Sequence, residues 1–449
     1  MSKITHKKAK IPAPKIRFQH TGKSLTSQAG VIPVIRFLDY IRLAPTCRKH
    51  IDLKRADNAR YGLDDAIFLT VVGMIAGATS LMKVVSVWAD SVLREIGGWL
   101  SIPDDSTLGR IFRLGQLRHV AQLEQVNHCL RQTVWQRALK SGVWLPGTLY
   151  RGWVDVDSSV KTVYGRQEGA EKGYNPVKRG ANAYHPLVAF CSHTREILQA
   201  WLRSGSAYTS NGIVEFMRQL AAEMPPRMRL IFRGDSGFFV GELMDWLDQN
   251  GHGYLIKVKL KGLAALLDQQ KWQKIPGCSG WEQCDFRHQC GTWERSRRFV
   301  AVRRKAALDT RSSQPSLLSD VVYDYFCYTT TERLTPWEAH TTYGKRATCE
   351  TWLDEAKNQM GLAHLKSHDF MASSLMFQCA VLAYNTMRWM ALLSGHKGLQ
   401  HWEIQTIRTF LIRTAGQLLR GGNQLKVKLP DNHLHQIPWS HWLNLSFLS

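Results

Sequence analysis

The chain has 449 residues, with 59 Lys and Arg against 36 Asp and Glu, for a formal charge of +23. Apolar residues make up 44%, enough for a sizeable core, which excludes a mainly disordered or fibrous chain. Sixteen Trp set it apart from short, low-complexity basic proteins, and the surplus points to a polyanionic partner.

Nine scattered Cys do not form a disulfide framework. The basic N-terminus lacks the apolar stretch of a signal peptide. The most apolar run, IFLTVVGMIAGATSLM at 67–82, is shorter than the ~20 residues a bilayer requires and reads as a buried helix. No membrane association is expected, and the expected location is the cytoplasm.

In chain order, residues 1–28 read as a basic flexible arm with Pro12 and Pro14. Residues 29–148 are helical by periodicity. Within them Ile102–Thr107 supplies a helix N-cap leading into TLGRIFRLGQL, and a helix-turn-helix is one reading of that pair. The cluster Arg42, Arg48, Lys49, Lys54, Arg55 and Arg60 makes this region a DNA-binding candidate. From 149 the texture changes. TLYRGWVDVDSSV, HPLVAFC and REILQAWL read as strands, NGIVEFMRQLAAEM as a helix and MRLIFRGDSG as a strand. FFVGELMDWLDQN then reads as a helix and GYLIKVKL as a strand. The expected fold is α/β, with the element order of a ribonuclease-H-like domain over 149–395. A β-rich insertion interrupts it at about 260–325. Helix returns at 337–360, and 396–449 is expected to be helical.

Asp155 and Asp157 sit at the end of the first strand of that region, and Asp235 where a later strand enters a Gly-containing turn. Buried strand ends carrying acids need a cation nearby, and a divalent metal held by carboxylate oxygens answers that need. Farther on lie Tyr343, Arg346, Glu350 and Lys357. On a helix turning about 100° per residue, Glu350 and Lys357 lie about 40° and 20° from Arg346, and Tyr343 within about 60°. Glu355 points about 180° away, so Glu350 is the acid on that face and Glu355→Ala is expected to be tolerated far better than Glu350→Ala.

The spacing Y-x2-R-x3-E-x6-K resembles that of bacterial insertion-sequence transposases of the DDE class. More narrowly, VDVDSSV, YGRQEGA, HPLVAF, LRSGSAYTSNG and FRGDSGF resemble the thirteen-eighty group, in order and spacing over about 150–390. The resemblance implies a metal-binding catalytic triad of Asp157, Asp235 and Glu350, with Tyr343, Arg346 and Lys357 on DNA phosphates. Asp157 is preferred to Asp155 because related transposases place the acid two residues before a hydroxyl, here Ser159. It also implies two Mg²⁺ ions (with Mn²⁺ able to substitute), terminal inverted repeats and target DNA as double-stranded partners, a homodimer in the synaptic complex, and a place at the bacterial nucleoid. Cut-and-paste transposition is the activity this reading gives. The rivals are a domesticated, non-catalytic DNA-binding protein and a stand-alone ribonuclease-H-like nuclease.

Other candidates are weaker. Cys278, Cys284, His288 and Cys290 lack a usual zinc spacing. Trp272, Trp281 and Trp293, interleaved with Arg295, Arg297, Arg298, Arg303, Arg304 and Lys305, read first as strand packing and second as a platform for an unpaired base. Glu168 and Glu171 read as loop acids. His185 and His364 show no partner in sequence.

Overall fold

The computed structural model describes residues 22–143, 150–173, 175, 178–291, 293–305, 323–362, 367–422 and 424–443. Most of the expected N-terminal arm and His364 lie outside them.

Seven helices come first: α1 (Val31–Tyr40), α2 (Leu43–His50), α3 (Leu63–Ala76), α4 (Leu81–Trp88), α5 (Ser91–Ile96), α6 (Asp105–Arg113) and α7 (Leu117–Lys140). The apolar run at 67–82 falls mainly in α3, which is buried on nearly every face. Among the described residues no single helix is long and apolar enough to cross a membrane, although α3 and α4, bent by 85°, satisfy the length and composition together. Asp104 caps α6 through the Thr107 N–H at 2.6 Å. Leu108, Ile111 and Phe112 of α6 are buried, as is much of α7, so this pair packs its apolar faces into the core, while Asp105, Ser106, Arg110 and Arg113 of α6 stay exposed.

The strands are β1 (Leu25–Thr26), then β2 (Arg151–Ser158), β3 (Lys161–Thr162), β4 (Glu171–Lys172), β5 (Asn182–Tyr184), β6 (Leu187–Cys191) and β7 (Ile197–Trp201). Next come α8 (Ile213–Ala222), β8 (Arg229–Gly234), α9 (Gly241–Gln249) and β9 (Gly253–Lys257). The expected insertion supplies α10 (Leu263–Asp268), β10 (Gln273–Lys274), β11 (Trp281–His288), β12 (Arg297–Lys305) and β13 (Tyr323–Thr330). One mixed nine-stranded sheet runs β10-β11-β12-β13-β9-β8-β2-β6-β7. β2 and β8, and β8 and β9, are parallel, whereas β6 is antiparallel to β2 and to β7. The insertion therefore extends the main sheet, because β13 pairs antiparallel with β9. Its Trp residues pack as strand-face side chains: Trp281 against Phe326 and Trp337, and Trp293 against Phe239 and Phe299. Cys284 lies in the small core of Phe299, Ala301 and Cys327.

Residues 337–360 do not form the single helix expected. They divide into α11 (Pro336–Gly344) and α12 (Ala347–Asp354), and a π-helical turn (Glu355–Gln359) follows. After α13 (Phe370–Leu393), α14 (Lys397–His401) and α15 (Ile404–Ile407), the expectation of a helical C-terminus also fails. β14 (Gly416–Gly421) and β15 (Gln424–Lys428) form a hairpin before α16 (Gln436–Leu443). The alternating Q-L-K-V-K after Gly421-Gly422 carried that hairpin signal. The end of the expected arm is held as well. β1 pairs with β14, and the Thr26 hydroxyl donates to Asp90 at 2.6 Å.

α13 is buried on nearly every face, and one hydrophobic core runs from Val31 through α3, α7, α12 and α13 to Trp442. The opposite face of the sheet is filled by α8 and α9. Edge strand β7 is closed by side chains. The Asn385 amide exchanges two hydrogen bonds with Ile197, at 2.7 and 2.9 Å, and Gln378 donates to the Ala200 carbonyl at 2.8 Å. An edge satisfied this way offers no template for a further strand.

Candidate active site

β2 and β8 lie side by side and parallel, with Asp155 opposite Arg233. Two residues on, Asp157 and Asp235 stand at the adjoining carboxyl ends, where α/β sheets characteristically bind ligands. Asp155 is fully buried, and the Arg233 guanidinium grips both its oxygens, one at 2.7 Å. Arg233 also donates to the Thr342 carbonyl at 2.6 Å, tying the end of α11 to the strand pair. Asp155 is thereby committed to structure, leaving Asp157 as the acid at the opening.

The Asp157 side chain is 14% exposed and accepts from the Ser158 N–H at 2.9 Å. Burial pushes its pKa up to about 6. Arg346 opposes that rise, and the nearby Asp235 and Glu350 charges reinforce it. Asp235 caps the 3₁₀ turn Ser236–Phe238, accepting from the Gly237 N–H at 2.9 Å. Cys349 on α12 is fully buried and lies 3.9 Å from the Asp155 carbonyl, which seats α12 on β2 and turns Glu350, its side chain 65% exposed, toward the opening.

Arg346 joins the two. Its guanidinium lies 3.1 Å from Asp157 Oδ1 and 3.1 Å from Glu350 Oε1. Burial works against its charge, but Asp157, Tyr343 and Asp235 more than offset that and hold its pKa above the ordinary arginine value. Tyr343 is half-buried, its ring 4.7 Å from that of Tyr328. Burial and the three carboxylates raise its hydroxyl to about 12 against the pull of Arg346, so it stays protonated and able to donate.

A cleft of about 590 Å³ is lined by Asp157, Ser158, Ser159, Glu350 and Lys357 among others. Lys357 sits in the π turn, and Asp235 is not part of the lining. Five of the six residues expected at the site, Asp157, Asp235, Tyr343, Arg346 and Glu350, influence one another's charge, and Lys357 faces Asp157 and Glu350 across the cleft. Glu355 is only 2% exposed and paired with Arg388. The expectation that it stands off the site face is not met, because Glu355 lines the same cleft, and as a buried partner of Arg388 its carboxylate also counts against the expected tolerance of Glu355→Ala.

Two residues escaped the sequence reading. Lys161 on β3 lies close enough to Lys357, and is buried enough, for both effects to lower its pKa. His185, expected to lack a partner, is buried and hydrogen-bonded to Ser158. The only available signal was that Lys161 directly follows VDVDSSV and that His185 opens HPLVAF.

The carboxylate oxygens of Asp157, Asp235 and Glu350 suit a hard divalent cation such as Mg²⁺. Three carboxylates against one Arg346 make the cluster rich in acids, and burial, with Asp235 and Glu350 adding to it, holds the Asp157 pKa up. Among the described residues no three carboxylate, imidazole or thiol side chains converge tightly enough to hold an ion as they stand. Arg346 lies between two of these carboxylates.

A mixed α/β fold with acids at parallel strand ends, and with Tyr343, Arg346 and Lys357 beside them, makes the kind of site that can act on a phosphate-bearing substrate. The sequence matches the family described as transposase DDE domain, group 1, over residues 8–446, and the chain belongs to that family. Nothing matches it among curated proteins. Among solved structures, it is similar to a cryo-EM structure of the piggyBac transposase synaptic complex with hairpin DNA. That match has 13% identity, 85% of this chain and 80% of that one, and a TM-score of 0.42, a level of likeness that carries no argument about this chain.

Proposed function

We propose that the chain is the transposase of a bacterial insertion sequence of the thirteen-eighty group, working by cut-and-paste. The observation that carries this is the meeting of Asp157, Glu350 and Lys357 on one cleft at the ends of parallel strands, with Arg346 between the two acids, in a member of a DDE transposase family. The order β7-β6-β2-β8-β9, with β6 alone reversed, supports a ribonuclease-H-like catalytic domain over 149–395. The helices of 29–148 belong to end recognition in this reading, and the enzyme acts as a homodimer on paired ends at the nucleoid.

Asp157, Asp235 and Glu350 hold the metal, and two bound Mg²⁺ or Mn²⁺ ions would activate the attacking oxygen and stabilise the leaving one. The chain's own residues do the rest. Arg346 and Lys357 hold the phosphate register and offset its charge, and the Tyr343 hydroxyl donates to a phosphate oxygen. Because hydrolysis at the element end and joining to target both displace at phosphorus, one cleft serves both.

The test uses purified full-length protein, Mg²⁺ and a supercoiled plasmid carrying the element's ends. Excision and strand transfer are expected, and each of Asp157→Ala, Asp235→Ala and Glu350→Ala should reduce both to background in a protein that still binds the ends. Full activity in Asp235→Ala or Glu350→Ala overturns the assignment.

A further inference from the structure

Two of the quoted motifs, HPLVAF and LRSGSAYTSNG, contribute nothing to the triad, yet their side chains meet behind it. His185 is buried, and its Nδ1 faces the Ala207 carbonyl. A carbonyl can only accept, so Nδ1 carries the proton and Nε2 of the neutral ring accepts. Nε2 lies 3.1 Å from Ser158 Oγ, which therefore donates to it. With its hydrogen so used, Ser158 Oγ accepts from the Thr209 hydroxyl at 3.2 Å. One carbonyl thus fixes the direction of a three-link chain ending beside Asp157.

Thr209 also lies against the turn that carries the other acid. Its methyl Cγ2 would lie 3.1 Å from a Cβ on Gly237, whose N–H holds the Asp235 carboxylate. Arg203 locks this loop in place, donating to the His185 carbonyl at 3.0 Å and to the Asn211 carbonyl at 2.8 Å. The His185 N–H returns a bond to the Arg203 carbonyl at 3.0 Å. Thr209 therefore bridges the residue after Asp157 and the turn that carries Asp235.

We propose that His185 and Thr209 are positioning residues: through Ser158 and Gly237 they set the separation of Asp157 and Asp235, and so the affinity of the site for its metal ions. This rests on the reading of Asp157 and Asp235 as metal ligands. Outer partners of ligating carboxylates commonly change metal affinity by about 10- to 100-fold when removed. Thr209→Val keeps the size and the methyl contact with Gly237 but loses the hydroxyl, and Thr209→Ser does the reverse. Ser158→Ala and His185→Ala each break the chain at one link.

The measurement is Mn²⁺ binding to the full-length protein by electron paramagnetic resonance titration, alongside the Mn²⁺ concentration that half-saturates end cleavage and the melting temperature. Thr209→Val and His185→Ala are expected to weaken Mn²⁺ binding about tenfold. Cleavage should recover at saturating Mn²⁺, and Thr209→Ser should bind Mn²⁺ more tightly than Thr209→Val. If Asp235→Ala abolishes Mn²⁺ binding while Thr209→Val and His185→Ala leave it unchanged, or lose cleavage only in step with their melting temperatures, the clamp is overturned and the site reading stands. If Asp235→Ala binds Mn²⁺ as the wild type does, the site reading itself fails and takes the clamp with it.

Discussion

Glu350 and Glu355 show how far a single side chain can be read from sequence. The wheel placed them on opposite faces, but the structure sets both along the cleft, Glu350 exposed and Glu355 buried against Arg388. It could not show that the off-face acid is itself a buried partner, since Arg388 is 33 residues away. Removing one member of a buried pair leaves an uncompensated charge and costs about 3–5 kcal/mol. Chemical denaturation should therefore find Glu355→Ala destabilised by that order and Glu350→Ala close to wild type; equal stability of the two would contradict the pairing. Asp157 gives a second test, in metal-free protein. Its folded pKa of about 6 lies above the ordinary value of 3.8, so between those limits the folded state binds more protons than the unfolded one. Stability from this group is then fully present below about pH 4 and is lost as pH rises through 6. Relative to Asp157→Asn, the wild type should lose at most about 3 kcal/mol over that window and nothing further above it. A difference independent of pH would mean that the carboxylate is not buried as placed.

Elements were legible where their signal was local. β2, β6, β7, α8, β8, α9 and β9 fall where alternation, helical period and turn residues place them. The acids at the ends of β2 and β8 could be paired only through the expected ribonuclease-H-like order, because the crossover through α8 leaves β7 at the sheet edge and sets β8 beside β2. What escaped was set by contacts distant in sequence. The break at Lys345–Arg346 follows from packing: Arg233 holds the end of α11 through the Thr342 carbonyl, and Cys349 seats α12 on β2. The π turn lets Glu355 reach both Arg388 and the Ile404 N–H. The C-terminal segment closes onto α1 in the same way. The Trp442 indole N–H, fully buried, donates to the Gly30 carbonyl at 3.3 Å, and any Cβ on Gly30 would fall 2.0 Å from the Leu411 carbonyl oxygen. Trp442→Ala should cost about 3–5 kcal/mol, with the fastest-exchanging new amides in α1 by hydrogen exchange. A loss below about 1 kcal/mol would show that the C-terminus is not part of the core.

At the scale of the whole molecule, the +23 surplus has to be separated from the charges that hold the fold together. Among the described residues six arginines are buried: Arg131, Arg233, Arg297, Arg346, Arg388 and Arg408. Five of them face carboxylates, and Arg408 serves the Ile75 and Gln359 carbonyls. Internal pairing consumes acids along with bases, so the core leaves the surplus nearly whole and the surface carries it. The loop and helix end bearing Arg48, Lys49, Lys54 and Arg55 line one shallow basic hollow, with Asp52 and Asp64 the acids in it. A surface of that kind binds duplex mainly by releasing counterions, with log affinity falling by about 0.9 per phosphate contact for each unit of log salt. Paired element ends engaging about six to ten phosphates should lose roughly 10³- to 10⁵-fold in affinity between 50 and 200 mM salt. Fluorescence anisotropy of labelled end duplexes across that range measures the slope. Replacing Lys54 and Arg55 by Gln should flatten it by about two units, without altering the Mn²⁺ affinity of the cleft. A slope near zero for the wild type would mean that the basic surface is not where DNA lies.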